Sequence, residues 1–389
     1  MRSVKEPLEN KIINYILLLN TMNQNALKKM HSDCIASIII PAYNEELYLP
    51  NCLGSIKKAL SYLITENLVE LVIIDNNSTD STHQICELWS NKIPNTHLIF
   101  EDKLGPGYAR FSGVNHVLIR ESQRTHKSQS AFWIINTDAD TLVPHLWLKS
   151  WLEYINKTTS SIVAGNGIFD KNFSKNYPNS TRIFSTIGQQ IKKIEKIFGT
   201  INADGFNSAI EKHSYETAGP YNQPTHNLAN EQEFNVAGED WDLSTRARVK
   251  GVKIERKSNY PVISSSRRFE QDAAEYIDGT AYEKPFSKVI NENKTKDIEE
   301  ETIERHLFLA AKRQSMHYVL KPILADKNIL NDEKVQNFLG TNLVSFIIDW
   351  TMNNKIPDFF DNREKFIFEY LNNLHKIVGD DLGRKLLSL

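Results

Sequence analysis

Cysteine is scarce in this chain. Cys34, Cys52 and Cys86 are the three cysteines among 389 residues, and no two of them form a C-x-x-C pair. An odd number without metal-ligand spacing argues against a disulfide framework or a thiolate cage and makes a reducing compartment the simpler setting. Long apolar runs are missing as well. No stretch reaches the roughly 18 residues of a membrane-spanning helix, and the first residues carry neither the early apolar block nor the small-residue cleavage site of a signal peptide. The expected location is the cytoplasm. Nor does one sign of charge dominate: a formal net charge of −2 argues against a nucleic-acid partner, which would call for basic residues concentrated on one face. Any phosphate has to be met by a few local groups. No internal repeat is present, and 40% hydrophobic with 24% charged residues is the balance of an ordinary folded chain rather than a disordered or fibrous one.

The length suits one large α/β domain, or a domain of about 250 residues with a smaller appendage. Residues 1–33 are expected to form an amphipathic helical segment in which Ile12, Ile13, Ile16, Leu17 and Leu19 cluster beside Lys11, Lys28 and Lys29. Such a segment either packs on the protein's own body, the commoner fate, or lies peripherally on the inner face of a membrane. From Cys34 the pattern changes to short β-branched runs alternating with helical periodicity. Strands are expected at Cys34–Ile40, where Pro41 stops the run, then at Leu71–Ile74, His97–Phe100 and Phe132–Ile135. Between them, Leu49, Leu53, Ile56, Leu60 and Leu63 recur at helical spacing. Ser78 is placed to cap a helix carrying Ile85 and Leu88, and Gly105-Pro106-Gly107 precedes a helix carrying Val114, Val117 and Leu118. Pro144 is placed to open a fourth helix.

Strands that are apolar throughout, alternating with helices, predict an α/β fold whose mostly parallel sheet is covered on both faces. Ligands bind beyond the carboxyl ends of such strands. Residues 34–270 are read as this domain, with a ligand-binding half at 34–145 and an acceptor-side half at 146–270. In the latter, the text from 166 to 237 is looser and polar, with some helix at Ile183–Ile197. Residues 271–389 read as a mostly helical region with apolar clusters at Leu307–Leu309, Phe338–Ile348 and Phe366–Leu371, a reasonable place for a homodimer contact.

Several polar residues fall at the strand ends. Asp138 and Asp140, two apart on an expected extended segment, project to one side, where hard oxygens can share a divalent cation. That cation would stabilise the charge developing on a departing phosphate. A solvated turn is the plainer reading of an isolated D-x-D. Glu239 and Asp240 open a short helix, where acids are ordinary dipole partners, yet a carboxylate there could also take the proton of an attacking hydroxyl. Asp240 is the candidate base, with Glu239 orienting it or the acceptor. Asp75 could accept hydrogen bonds from a base or ribose, or simply cap the next helix. Lys103 and Arg110 bracket Gly105 and Gly107 beside a helix N-terminus that could approach phosphate. Tyr43, Trp133 and Trp241 could stack on a base or sugar, though large aromatics more often pack in cores.

Taken in order, Ser37-Ile38-Ile39-Ile40-Pro41-Ala42-Tyr43-Asn44-Glu45-Glu46, Val72 to Asp80, the Lys103–Gly113 glycine segment, Asp138-Ala139-Asp140 and Gly238-Glu239-Asp240-Trp241 resemble glycosyltransferase family 2, over about residues 34 to 268. The resemblance implies a GT-A fold, a nucleotide-diphosphate sugar donor, Mg²⁺ or Mn²⁺, and transfer with inversion to a glycan, lipid-linked or small-molecule acceptor. It implies that Pro41, Ala42, Tyr43, Glu45, Asp75, Lys103, Gly107, Arg110, Asp138 and Ala139 line the nucleotide-sugar site. Asp138 and Asp140 would hold the metal, Asp240 and Glu239 the catalytic position, and Gly219-Pro220-Tyr221 the acceptor-side loop.

The chain departs from the family pattern in three places. Asn76 stands where many relatives have a second Asp. The Q-x-x-R-W segment of processive synthases is absent, which favours a single transfer. No clear His stands shortly after the Asp240 helix to complete a metal shell, and Arg267 and Arg268 occupy that region. A retaining transferase, a sugar nucleotidyltransferase and a non-catalytic relative are the alternatives. The second would normally place a glycine loop directly after the first strand.

Overall fold

The computed structural model describes residues 29–124, 131–158, 161–221, 238–271, 273–278, 296–356 and 370–389. The amphipathic segment expected within 1–33 lies almost entirely outside the described residues, as does most of the apolar cluster at 366–371.

The strands are β1 (Ala36–Ala42), β2 (Val69–Asp75), β3 (Thr96–Phe100), β4 (Trp133–Thr137), β5 (Ile162–Ala164), β6 (Gly167–Ile168), β7 (Asn207–Glu211), β8 (Ile254–Arg256) and β9 (Val262–Ile263). Among the described residues β3-β2-β1-β4-β7-β5-β8 form one sheet in that order, and β6 pairs with β9 separately. The first four are parallel, as the alternating pattern predicts, and β7 alone runs antiparallel to its neighbours β4 and β5. Ile38, Ile39 and Ile40 of β1 are fully buried, each contributing roughly 1.5–3 kcal/mol relative to exposure, so this strand belongs at the centre. It does not stop at Pro41. Pairing with β4 ends at Ile39, while β2 still pairs Pro41 with Ile74. The missing proline N–H therefore falls where one ladder has already ended.

The covering helices are α1 (Leu49–Leu60), α2 (Thr82–Ser90), α3 (Pro106–Ser122) and α4 (Trp147–Ile155). Two starts differ from the sequence reading. Helix α2 begins at Thr82, whose N–H is met by Asp80 Oδ1 at 2.9 Å, and Ser78 instead accepts from Asn44 N at 3.1 Å. Its inner face is Thr82 and Cys86, with Leu88 exposed. Helix α4 begins at Trp147, and its N–H donates to the carbonyl of Pro144 at 2.8 Å, so the proline sits one turn early.

In the loose stretch after 166, α5 (Pro178–Phe198) is longer than expected and is followed by β7. Asn207 at the start of β7 accepts the indole N–H of both Trp147 (3.0 Å) and Trp151 (3.2 Å). Two buried tryptophans thus need this strand, which its short sequence does not announce.

Further along come α6 (Lys212–Ala218), α7 (Glu239–Val249) and α8 (Arg267–Gln271), then α9 (Ile303–Ser315), a π turn (Met316–Leu320), α10 (Glu333–Leu339), α11 (Thr341–Asn353) and α12 (Asn372–Leu387). Ile183, Ile187, Ile194 and Phe198 of α5 share one hydrophobic core with α9, the π turn and α12. A core therefore crosses the sequence position 270 at which the helical region begins. Helices α9 and α12 approach closely at Gly383, where an added Cβ would stand 3.0 Å from Lys312 Cα. No helix among the described residues is long and apolar enough to cross a membrane.

At the amino ends of the strands, away from the ligand side, Glu70 accepts from Ser37 Oγ and Arg120 Nη1, each at 2.7 Å. His116 of α3 lies beside this group, its ring 5.4 Å from that of His97. Burial, reinforced by the Arg120 charge, pushes its pKa down to about 4. A histidine held neutral in the fold stabilises above its unfolded pKa near 6.5, and the contribution is lost as pH falls toward 4. His116→Gln should therefore flatten the fall in stability between pH 6.5 and 4 by up to about 3 kcal/mol. Urea unfolding of both proteins across that range checks this, and parallel curves would contradict it.

Candidate active site

The carboxyl ends of β1, β2 and β4 carry the polar loops, and the first two loops are stitched together. Asn44, at φ 52°, accepts from Thr79 N at 2.8 Å. Glu45 N donates to Thr82 Oγ1 at 2.7 Å, and Glu46 N to Asp80 Oδ2 at 3.2 Å. Asp75 is almost wholly buried. Its Oδ1 accepts from Ser78 N at 3.1 Å, and its Oδ2 faces His83 Nδ1 at 2.8 Å. His83 is thus a neighbour that spacing alone did not single out. Around this floor Ala42 is buried, Pro41 and Tyr43 are half-buried, and Lys103 is exposed near the Tyr108 ring. Gly107 is buried in the first turn of α3.

Asn76 holds the glycine segment in place. Its Nδ2 donates to the carbonyls of Glu101 (3.2 Å) and Lys103 (2.6 Å), and its Oδ1 accepts from Gly105 N at 2.8 Å. One side chain here is both donor and acceptor, which an amide can be and a carboxylate cannot.

β4 ends at Thr137, so Asp138, Ala139 and Asp140 lie in a turn closed by Thr141 N on Asp138 O at 3.2 Å, not on the extended segment expected. The two carboxylates consequently take different partners. Asp140 pairs with Arg267 at 3.1 Å, and Arg267 also grips Glu45, with Nη1 on Oε2 at 2.7 Å, while stacking over the Tyr48 ring at 4.6 Å. Asp138 pairs with Arg110 Nη2 at 2.6 Å. Ala139 between them is buried. Among the described residues no group of three or more His, Cys, Asp or Glu converges as a metal cage. The pair offers hard oxygens, and the Asp138 side chain is 41% exposed. This donor set fits a cation that draws its other ligands from a diphosphate and water.

Arg110 joins the two halves of the site. Buried on α3, it donates to Asp138, to Asn136 Oδ1 at 3.3 Å and, through Nε, to Glu239 Oε1 at 2.9 Å. Gly205 makes room for it, since a Cβ there would stand 2.4 Å from Nη2. Asp240 follows Glu239 in the first turn of α7. Its Oδ2 accepts from Gly205 N at 2.8 Å and its Oδ1 from Trp241 N at 2.7 Å. The Trp241 ring is half-buried beside the pair, whereas Trp133 is buried in the sheet core.

Asp204, which the sequence reading passed over, stands next to this pair, with Oδ1 accepting the Trp241 indole N–H at 2.8 Å. Burial first, and then the charge of Asp240, raises both Asp204 and Glu239 to about 7; burial likewise raises Asp240. Further along α7, Arg246 donates to the carbonyls of Ala218 (2.6 Å), Gly219 and Pro220 (both 2.8 Å), fixing the loop after α6 to the same helix. Nothing is described at Arg268 beyond its place in α8.

The Asn76 geometry makes a prediction. Asn76→Asp would turn a carboxylate onto two carbonyl oxygens, and should cost about 1–3 kcal/mol and loosen Lys103–Gly107. Thermal unfolding together with amide exchange of that segment checks it; an unchanged melting temperature would refute the donor role.

Residues 37–219 match the family model described as Glycosyl transferase family 2. Among curated proteins, the chain is 27% identical over 195 residues to Glycosyltransferase AglE of Haloferax volcanii, covering 49% of this chain and 56% of that protein. It is 43% identical over 82 residues to Minor teichoic acid biosynthesis protein GgaA of Bacillus subtilis, covering 21% and 18%. The chain thus spans about a fifth to just over half of the length of these relatives. Among solved structures, S. aureus TarS 1-349 is 18% identical with a TM-score of 0.44, over 91% of this chain and 90% of that one. The chain carries a glycosyltransferase family 2 domain over residues 37–219.

Proposed function

We propose that this chain transfers a single glycosyl residue from a nucleoside-diphosphate sugar to a hydroxyl group, with inversion, using a divalent metal and Asp240 as base. The observation that carries the reading is the meeting of Asp138 and Glu239, 101 positions apart in sequence, on the one buried guanidinium of Arg110. It brings the leaving-group side and the acceptor side of a transfer reaction to one point at the ligand edge of the sheet.

In this reading the nucleoside lies over the stitched loops at Pro41–Glu45 and Asp75, and the diphosphate near Lys103, Gly107 and the Asp138–Asp140 turn. Asp138 and Asp140 would hold Mg²⁺ or Mn²⁺, which supplies positive charge to the departing diphosphate. Arg267 is close enough to Asp140 to share that task. Asp240 takes the proton of the acceptor hydroxyl as its oxygen bonds to the anomeric carbon. The bond from that carbon to the diphosphate oxygen breaks, and its electron pair leaves with the nucleotide. Attack from the face opposite the leaving group inverts the centre. Burial favours the neutral form of Asp240 and so makes its carboxylate a better proton acceptor once ionised.

The family supplies the donor class, and a relative described as a poly(ribitol-phosphate) β-N-acetylglucosaminyltransferase, 27% identical over 159 residues, makes UDP-N-acetylglucosamine a first donor to try. Calorimetric titration with UDP, GDP and their sugars, with Mn²⁺ and with chelator, tests the donor site. Asp138→Ala should weaken metal-dependent nucleotide binding. Asp240→Asn should lose transfer by about 10²-fold or more while nucleotide binding stays intact. Because Asp240 is raised, the wild-type rate should climb with pH along an acid limb displaced above the ordinary carboxylate range. Failure of every UDP and GDP compound to bind a folded protein, or equal loss of binding and transfer in Asp240→Asn, would overturn the respective assignment.

A further inference from the structure

The segment Ala203-Asp204-Gly205 runs alongside the start of α7, and each of its three residues is bonded to it. Ala203 N donates to Ser244 Oγ at 2.9 Å, and that hydroxyl donates to the Asp240 carbonyl at 2.9 Å. Asp204 Oδ1 accepts from the Trp241 indole, and Gly205 N donates to the Asp240 carboxylate. The two dipeptides Asp204-Gly205 and Asp240-Trp241 therefore clasp each other reciprocally, with side chain to side chain on one arm and backbone to side chain on the other.

The clasp has a second attachment. The Trp241 ring meets His317 edge-on, with centroids 4.6 Å apart, and Tyr318 at 5.6 Å. Both belong to the π turn between α9 and the helices after it. Tyr318 is tied back to the same segment, its side chain hydrogen-bonding Asn202 and its carbonyl accepting from Thr200 Oγ1 at 3.5 Å. A π turn inserts one residue into the helix and re-aims the side chains around it; here these are the two rings on Trp241. The C-terminal helical core, which is also the core of α5, thus meets the first turn of the catalytic helix at the Trp241 indole.

We infer that Asp204 and Trp241 are positioning residues for the Glu239–Asp240 pair, and that through Trp241 the C-terminal helical region holds this pair in register with the donor site. The inference rests on the function proposed above. Asp240 has a short side chain and sits at a helix N-terminus, where a small rotation of the helix moves its carboxylate away from an acceptor hydroxyl. Both Asp240 oxygens accept backbone N–H groups, so its direction is set by where Gly205 and Trp241 lie. Those two are held by Asp204 and the π turn.

The experiment measures release of UDP or GDP from the sugars that the wild-type full chain turns over, alongside nucleotide affinity and melting temperature. Trp241→Phe keeps a ring against His317 and Tyr318 but loses the N–H; Asp204→Ala loses the acceptor. Each should lower kcat by about tenfold or more, with nucleotide affinity within about twofold of wild type, the split expected for a misaimed base rather than a lost donor site. The double variant should be no worse than the weaker single, because both remove one bond. Asp204→Asn, whose amide oxygen still accepts the indole N–H, should recover most of the loss. His317→Ala should lower kcat in the same sense.

An unchanged kcat in Trp241→Phe, additive effects in the double variant, or losses that track nucleotide affinity or the folded fraction would overturn the inference. Absence of turnover in the wild-type chain would overturn the function on which it rests, and that outcome is seen before any variant is made.

Discussion

A guanidinium buried inside a protein has to find acceptors for its donors, and Arg110 finds three of them on two segments that are remote in sequence. Asn136 and Asp138 come from the end of β4, and Glu239 from the first turn of α7. The arrangement works only because Gly205 offers no side chain to the space the guanidinium fills. Removing one partner of a buried pair leaves the other charge uncompensated, at a cost of about 3–5 kcal/mol. The contact therefore helps to fix the start of α7 relative to the sheet, together with Leu243 and Ala247 of the same helix in the hydrophobic core.

Electrostatics at that point are crowded. Asp138, Glu239 and Asp240 stand around the buried Arg110, Asp204 stands beside Asp240, and Asp140 with Glu45 stands around the half-buried Arg267. Burial, and after it the neighbouring charge of Asp240, makes Asp204 and Glu239 hold their protons more tightly and raises both to about 7. Carboxylates outnumber guanidiniums around Arg110 and Arg267. A cation arriving with a diphosphate would be favoured by the carboxylates but would compete with Arg110 and Arg267 for them.

The hydrophobic cores on the sheet and the helical core both support this site. The sheet core fixes β1, β2 and β4 and so the loops beyond them. The helical core, built from α5 and the C-terminal helices, touches the site through Trp241 alone among the aromatic residues named in the sequence reading. A long helix taken from the middle of the chain makes this possible, since α5 leaves the sheet region and returns to it at β7.

Much of this was legible in the amino-acid order. The parallel half of the sheet follows from four β-branched runs alternating with helical stripes, because continuous apolar strands have few places to go except between two layers of helix. The loops after β1 and β2, and Glu239-Asp240 at a helix start, could be placed from local punctuation by Pro, Gly and acidic residues, whereas the Asp138–Asp140 segment, expected to be extended, is a turn. Local order did not reveal β7, whose five residues are a strand only because two neighbours and two tryptophans need it. It did not show that Asn76 must be an amide, since the carbonyls it serves lie 25 and 27 residues on. Nor did it bring Asp204 to Trp241, or Arg110 to Glu239. Periodicity and turn chemistry act over a few residues, so the sequence by itself determined the strands and helices of the parallel half, though not all of their ends. The partners of a buried charge are chosen by how those elements pack, and that only the tertiary structure decided.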